Sequence, residues 1–231
     1  MEPTSVHLWR VPLDEPFDES ILSADELDRA NRYATPNLRD HYCAGRSALR
    51  IILASYLHCE PASIAFTYNE HGKPLIEGDL NFNLSNAANR MLLGVTRGRK
   101  IGVDLEKRDR RMQSDSIARR FFSPNEVDQL LALPEAQRDA AFLRCWVRKE
   151  AYVKALGTGI SGGLANFSVS LADKNETPLL LGSEEEWRFY DVDMGERFVA
   201  SVTVTAAPCL LQTFDFPAGA IRASHVAGGL F

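Results

Sequence analysis

The sequence predicts an α+β fold built from two similar halves, each a long helix packed on a small antiparallel sheet. Two stretches of helical periodicity, Leu38 to His58 and Glu135 to Leu156, are each followed by short runs of strand character rather than by regular β-α-β alternation. The order of long helix, glycine-bearing turn and short strands occurs from Leu38 to Thr96 and again from Glu135 to Thr205, although the residues themselves barely repeat. The 231 residues divide near Lys100 into halves of about 100 residues, an ordinary domain size. No Gly/Ser linker separates them, which predicts an extensive interface. The expected organisation is an N-terminal half over 1–100, a C-terminal half over 101–213 and a peripheral tail over 214–231.

The elements follow in order. From Leu38 to His58, Tyr42, Leu49, Ile52, Leu53, Tyr56 and Leu57 fall at helical spacing, with Arg46 and Arg50 one turn apart. Ser63 to Tyr68 reads as a strand, and Glu70 to Pro74, with Gly72 and Pro74, as a tight reversal. Asn81 to Ser85, Met91 to Thr96 and Ile101 to Glu106 are strand-like, the last two separated by the polar turn Arg97 to Lys100. Ser123-Pro124-Asn125-Glu126 carries the cap, first-turn proline and early acid of a helix running to Leu133. Glu135 to Leu156 is periodic and stops at Gly157. Asn166 to Leu171, Trp187 to Asp193 and Phe198 to Thr205 read as strands.

Composition narrows the function classes. Hydrophobic residues at 45% and charged residues at 25% match a folded globular chain. No apolar run approaches the ~20 residues of a membrane span, and the first thirty residues lack a signal-peptide core, so a cytoplasmic protein with no membrane partner is expected. Cys43, Cys59, Cys145 and Cys209 form no paired motif and read as reduced, mostly buried thiols. A net charge of −5 argues against nucleic-acid binding. Between Arg97 and Arg120, however, nine Lys/Arg stand against four Asp/Glu, a local excess that suits either a solvated face or an acidic or phosphate-bearing ligand.

Two constellations carry chemistry. Asp104 and Glu106 lie at i and i+2 of a strand, so both carboxylates point to one side. Converging acids suit a hard cation such as magnesium, or equally an acidic face bridged to the neighbouring arginines. In Trp146-Val147-Arg148-Lys149-Glu150-Ala151-Tyr152-Val153-Lys154-Ala155-Leu156-Gly157, Trp146, Glu150 and Lys154 share one helical face. Glu150 and Lys154 read as an acid and a base for catalysis or as a plain ion pair.

Taken together, Ile101-Gly102-Val103-Asp104-Leu105-Glu106 and the Trp146 to Gly157 segment closely resemble the signature pair of the 4′-phosphopantetheinyl transferases, in particular the monomeric surfactin-synthetase-activating type. Gly72-Lys73-Pro74 and Asn83-Leu84-Ser85 agree in order and spacing, so the resemblance spans roughly Ala44 to Gly159. It implies a pseudo-twofold, two-lobed α+β fold with coenzyme A and magnesium between the lobes. The implied reaction moves the 4′-phosphopantetheine arm to a serine of an acyl or peptidyl carrier protein and releases adenosine 3′,5′-bisphosphate. By the same resemblance Asp104, Glu106 and Glu150 hold magnesium, and Glu150 also serves as general base. Lys154 binds phosphate, Lys73 and Ser85 contact the coenzyme phosphates, and Arg46 meets the 3′-phosphate. Where many members carry a histidine after the motif serine, this chain has Asn86, which donates a hydrogen bond but carries no charge. Arg110, Arg111, Arg119 and Arg120 become candidates for docking an acidic carrier. A coenzyme-binding module without turnover and a magnesium-dependent nucleotide or pyrophosphate hydrolase are the alternatives. The pathway served is not encoded in these motifs.

Overall fold

The computed structural model describes residues 1, 5–108, 114–159, 163–173, 176–178, 185–205, 209–217 and 219. In chain order the elements are β1 (Ser5–Pro12), α1 (Ala24–Ala30), α2 (Pro36–Leu57), β2 (Thr67–Tyr68), β3 (Pro74–Leu75), β4 (Leu80–Ala87), β5 (Arg90–Arg97) and β6 (Ile101–Lys107). There follow α3 (Ser114–Phe121), α4 (Pro124–Ala132), α5 (Glu135–Leu156), β7 (Glu176–Pro178), β8 (Trp187–Asp191), β9 (Phe198–Thr205) and β10 (Leu210–Asp215). One four-stranded sheet has the order β10-β1-β5-β4 and the other β6-β9-β8-β7, while β2 and β3 form a separate two-stranded hairpin. We call the first sheet with α2 and the β2–β3 hairpin the N-lobe, and the second sheet with α5 the C-lobe.

Each lobe has its own core. Trp9 and Val11 of β1 and Met91, Leu93 and Val95 of β5 pack on the α2 residues Leu49, Ile52 and Leu53. Phe142, Cys145 and Tyr152 of α5 pack on Trp187 and Phe189 of β8. A third cluster is shared between the sheets: Val6, Leu8 and Leu92 from one meet Ile101, Val103, Leu105, Val202 and Val204 from the other. The polar seam lies alongside, where the Val103 N–H donates to Asn83 Oδ1 at 2.8 Å, joining β4 to β6.

Helix α5 sits hard against β6. A Cβ at Gly102 would fall 1.9 Å from the Ala151 carbonyl oxygen, so only glycine permits this approach. Gly102, Asp104 and Glu106 alternate with Ile101, Val103 and Leu105 along the strand, which turns the two acids away from the shared core.

Several elements depart from the sequence expectation. β1 is new, and it escapes a period-2 reading because Val6 and Leu8 face the inter-sheet core while Trp9 and Val11 face α2, leaving no polar side. α1 and α3 are likewise added. Asn166 to Leu171 forms no strand of the sheets: the Phe167 and Ser170 carbonyls accept from Lys149 and Arg148, and the Val169 N–H donates to Glu126, so side chains replace a neighbouring strand. The tail expected from Phe214 onward begins inside β10, which pairs parallel with β1. Phe214 stacks on Trp9 with ring centroids 4.9 Å apart, and Phe216 is buried. Residues 218 and 220–231 of that tail lie outside the described residues. Among the described residues no helix is long and apolar enough to cross a membrane. The four cysteines are free, with Cys43 and Cys145 buried.

Candidate active site

A cavity of about 430 Å³ opens between the lobes, lined from the N-lobe side by Tyr42, Arg46, Asn86 and Lys73 and from α5 by Glu150 and Lys154. At this seam Lys154 Nζ donates to Asp104 Oδ1 at 2.6 Å and to Ser85 Oγ at 2.8 Å, while Ser85 Oγ donates to the same Asp104 oxygen at 2.9 Å. Three elements, β4, β6 and α5, therefore converge on one charged centre. Asp104 is buried because β6 is covered by α5, and Lys154 remains part-exposed toward the cavity.

Two carboxylate oxygens at the centre lack partners. Asp104 Oδ2 and Glu150 Oε1 are buried with no hydrogen bond, an arrangement that costs free energy unless a further ligand arrives. Burial raises the Glu150 carboxyl to about 7, with Asp104 and then Glu106 adding to the rise and Lys154 opposing it. Near neutrality this carboxyl is poised to exchange a proton.

The chain is similar to known sequences over most of its length. A model of the 4′-phosphopantetheinyl transferase superfamily matches residues 100–203. The 4′-phosphopantetheinyl transferase HetI of Nostoc sp. is 40% identical over 209 residues, covering 86% of this chain and 87% of that one. The chain belongs to the 4′-phosphopantetheinyl transferases. A second member, from Bacillus subtilis, is 32% identical over 179 residues, 75% of this chain and 79% of its own. The transferase Sfp of the same species, strain 168, is 28% identical over 200 residues, 81% and 88% of the two chains. The two-lobed α+β architecture is that of this family.

Within this phosphopantetheinyl transferase the residues singled out by sequence fall into two groups. Ser85, Asp104, Glu150 and Lys154 are brought together as described, and Glu106 lies close enough to act on Glu150. Asn86 is exposed and lines the cavity. Arg46 also lines it, but its Nε donates to Glu26 Oε1 at 2.7 Å, a second guanidinium nitrogen pairs with the same oxygen, and the plane lies 4.5 Å from the Phe66 centroid. Glu26 is shared with Arg50, so the two arginines and their one acid keep a net positive charge beside the cavity. Lys73 directs its ammonium at three backbone carbonyls, of Ile101, Lys154 and Ala155. Arg119 and Arg120 are exposed on α3, and Arg110 and Arg111 lie outside the described residues.

Sequence reasoning read Ser123 and Glu126 only as a helix start and missed that Glu126 holds α5 through Lys149. Glu126 accepts from Lys149 Nζ, the Val169 N–H and the Ser123 N–H; both residues of the pair are fully buried, and Lys149 is one residue from Glu150. The Ser-x-x-Glu spacing that marks a capping box was the available signal, at Ser123 and equally at Ser23. Trp146, on the same helical face as Glu150 and Lys154, is partly buried, stacking on Phe142 and meeting Phe121 edge-on.

Proposed function

We propose that the chain transfers the 4′-phosphopantetheine arm of coenzyme A to a serine hydroxyl of an acyl or peptidyl carrier protein, releasing adenosine 3′,5′-bisphosphate. The observation that carries the reading is the Lys154, Ser85 and Asp104 centre beside the buried Glu150 in a cavity walled by both lobes. In this reaction the serine oxygen bonds to the phosphorus next to pantetheine, the diphosphate P–O bond breaks, and the departing bisphosphate keeps the electron pair. Glu150 takes the serine proton, a role worth typically ~10²- to 10⁴-fold for a positioned base. Lys154 sets a fixed positive charge where negative charge grows on the diphosphate oxygens, and Ser85 holds that ammonium in place.

Among the described residues no ready-made group of three metal-ligating side chains is present. The donors nevertheless fit magnesium, which takes one or two carboxylates and completes its shell with water and phosphate oxygens. The partnerless oxygens of Asp104 and Glu150 are such donors. Asp104 and Glu150, with Glu106 nearby, would hold the ion, which when bound supplies charge neutralisation at the diphosphate. Since both walls of the cavity come from one chain, we infer a monomer, checked by sedimentation. The free thiols suit the cytoplasm.

Mass spectrometry tests the reading. An apo-carrier incubated with the chain, coenzyme A and magnesium should gain about 340 Da as a covalent modification. Glu150→Gln keeps the size but not the proton-accepting carboxylate, so turnover should fall at least about 100-fold with the fold intact. Coenzyme bound intact with no mass gain on any carrier would instead return a binding module, and near-normal kcat in Glu150→Gln would remove the assigned base.

A further inference from the structure

The last turn of α5 is closed from the opposite lobe. A helix ends with carbonyl oxygens that have no donor within the helix. In α5 the Gly157 N–H meets the Val153 carbonyl at 2.9 Å. The next two carbonyls, of Lys154 and Ala155, accept from Lys73 Nζ at 2.7 and 3.2 Å, and the Ile101 carbonyl at the start of β6 accepts from it at 3.4 Å. Asn69 Nδ2 donates to the Gly157 carbonyl at 2.9 Å, while Asn69 Oδ1 accepts from the His71 and Lys73 N–H groups at 3.0 and 2.9 Å. Asn69 and Lys73 both belong to the turn between β2 and β3. Gly157 sits at φ +74°, and a Cβ there would lie 2.9 Å from Asn69 Nδ2, so glycine lets this turn dock.

An ammonium carries three hydrogens, and three carbonyls receive them. No donor of Lys73 is left for a phosphate oxygen while this arrangement holds. A cation at a helix C-terminus is favoured by the helix dipole. Burial lowers Lys73 to about 8, against the pull of the carbonyl dipoles, which favour its charged form.

We propose that Lys73 and Asn69 are positioning residues for the transfer reaction. From the N-lobe they cap α5 and tie it to the first residue of β6, fixing the helix that bears Glu150 and Lys154 against the strand that bears Asp104. The inference rests on the transferase reading above. It departs from the coenzyme-phosphate contact that the family resemblance gives Lys73.

Two variants of the full chain test it. Lys73→Met keeps the aliphatic stem and removes the donors; Asn69→Ala removes the bond to Gly157. Each should lower kcat by about 10- to 100-fold, the cost of a small misplacement of reacting groups, while the KM for coenzyme A stays within about threefold. Amide exchange at Ala155 to Thr158, read without substrate, should accelerate by about tenfold or more as the last turn frays. A Lys73→Met chain with coenzyme KM raised more than about tenfold, kcat held and exchange unchanged would restore the phosphate-binding role and overturn the proposal. Normal kcat and exchange in Asn69→Ala would overturn it as well, and that variant decides alone if Lys73→Met does not fold. A wild-type chain that modifies no carrier refutes the transferase reading instead, and the exchange rates still decide whether the cap exists.

Discussion

The two lobes use one device to hold their long helices, and they differ at the residue that follows it. In the N-lobe Glu26 closes a capping box with Ser23 and accepts from Arg46 and Arg50 on α2 at 2.7 and 2.8 Å. In the C-lobe Glu126 closes a capping box with Ser123 and accepts from Lys149 on α5 at 2.8 Å. Arg50 and Lys149 each lie fourteen residues beyond the first residue of their helix, Pro36 and Glu135. The next residue along is Ile51 in one lobe and Glu150 in the other. The shared part is therefore scaffold, and chemistry enters where the position after the buried base carries a carboxylate instead of an apolar side chain. The N-lobe gives its one acid two arginines, which leaves a net positive charge, and Arg46 lines the cavity.

Removing the base should separate the lobes most. Glu126 and Lys149 are fully buried and form the single ion pair of their site among the described residues, so Lys149→Met leaves a buried carboxylate without its counter-charge. That change should cost about 3 to 5 kcal/mol. Arg50→Met leaves Glu26 still paired to Arg46, and the loss should be nearer 1.5 to 3 kcal/mol, the worth of hydrogen bonds to a charged group. Urea unfolding of both variants checks the order, and equal losses would break the distinction drawn between the lobes. The double variant Glu126→Gln with Lys149→Met should recover most of the stability, since the cost lies in the orphaned charge.

A pH series sharpens the N-lobe side. Burial works against the ionised Glu26 carboxylate, but the Arg46 charge and the Arg50 hydrogen bond outweigh it and leave the group below its ordinary 4.5. A carboxyl lowered by folding stabilises the fold fully above its unfolded value, and that contribution disappears as pH falls through the folded value. The Glu26→Gln deficit should thus be largest near neutrality and shrink below about pH 4. A deficit that stays constant down to about pH 2 would mean that shape, rather than charge, is what Gln fails to supply.

Much of this was legible in the sequence because local chemistry and tertiary role coincide. The periodicity of α2 and α5, the cap at Ser123 and the stop at Gly157 are local properties, and β9 matches its expected span Phe198–Thr205. Asp104, Glu150 and Lys154 were readable as a set through motif spacing and resemblance, and the fold brings them to one centre. What stayed hidden depends on partners remote in sequence. β1 pairs on one side with β5 and on the other with β10, some two hundred residues away in register Ser5 to Leu210, so neither pairing leaves a local trace. The orientation of Lys73 was equally unreadable, because its partners are backbone carbonyls, which carry no sequence identity.

The smallest expected effect concerns how the two long helices begin. Thr35 caps α2, its side chain accepting from the Leu38 N–H at 3.3 Å, whereas Pro134 precedes α5 without a side-chain cap. Thr35→Ala should therefore cost about 1 kcal/mol in urea or thermal unfolding. Pro134→Ser would gain a cap oxygen worth about 0.5 to 1 kcal/mol, but it would also free the unfolded chain by about 0.4 to 1 kcal/mol, so the net change should lie near zero. The start of α5 has other support: Arg138 donates to the Leu131 and Leu133 carbonyls at 2.9 and 3.0 Å, binding the end of α4 to the first turn of α5. If Pro134→Ser instead loses more than about 1 kcal/mol, the proline itself sets the bend between α4 and α5, and the C-lobe helix is positioned by chain stiffness where the N-lobe helix is positioned by a hydrogen bond.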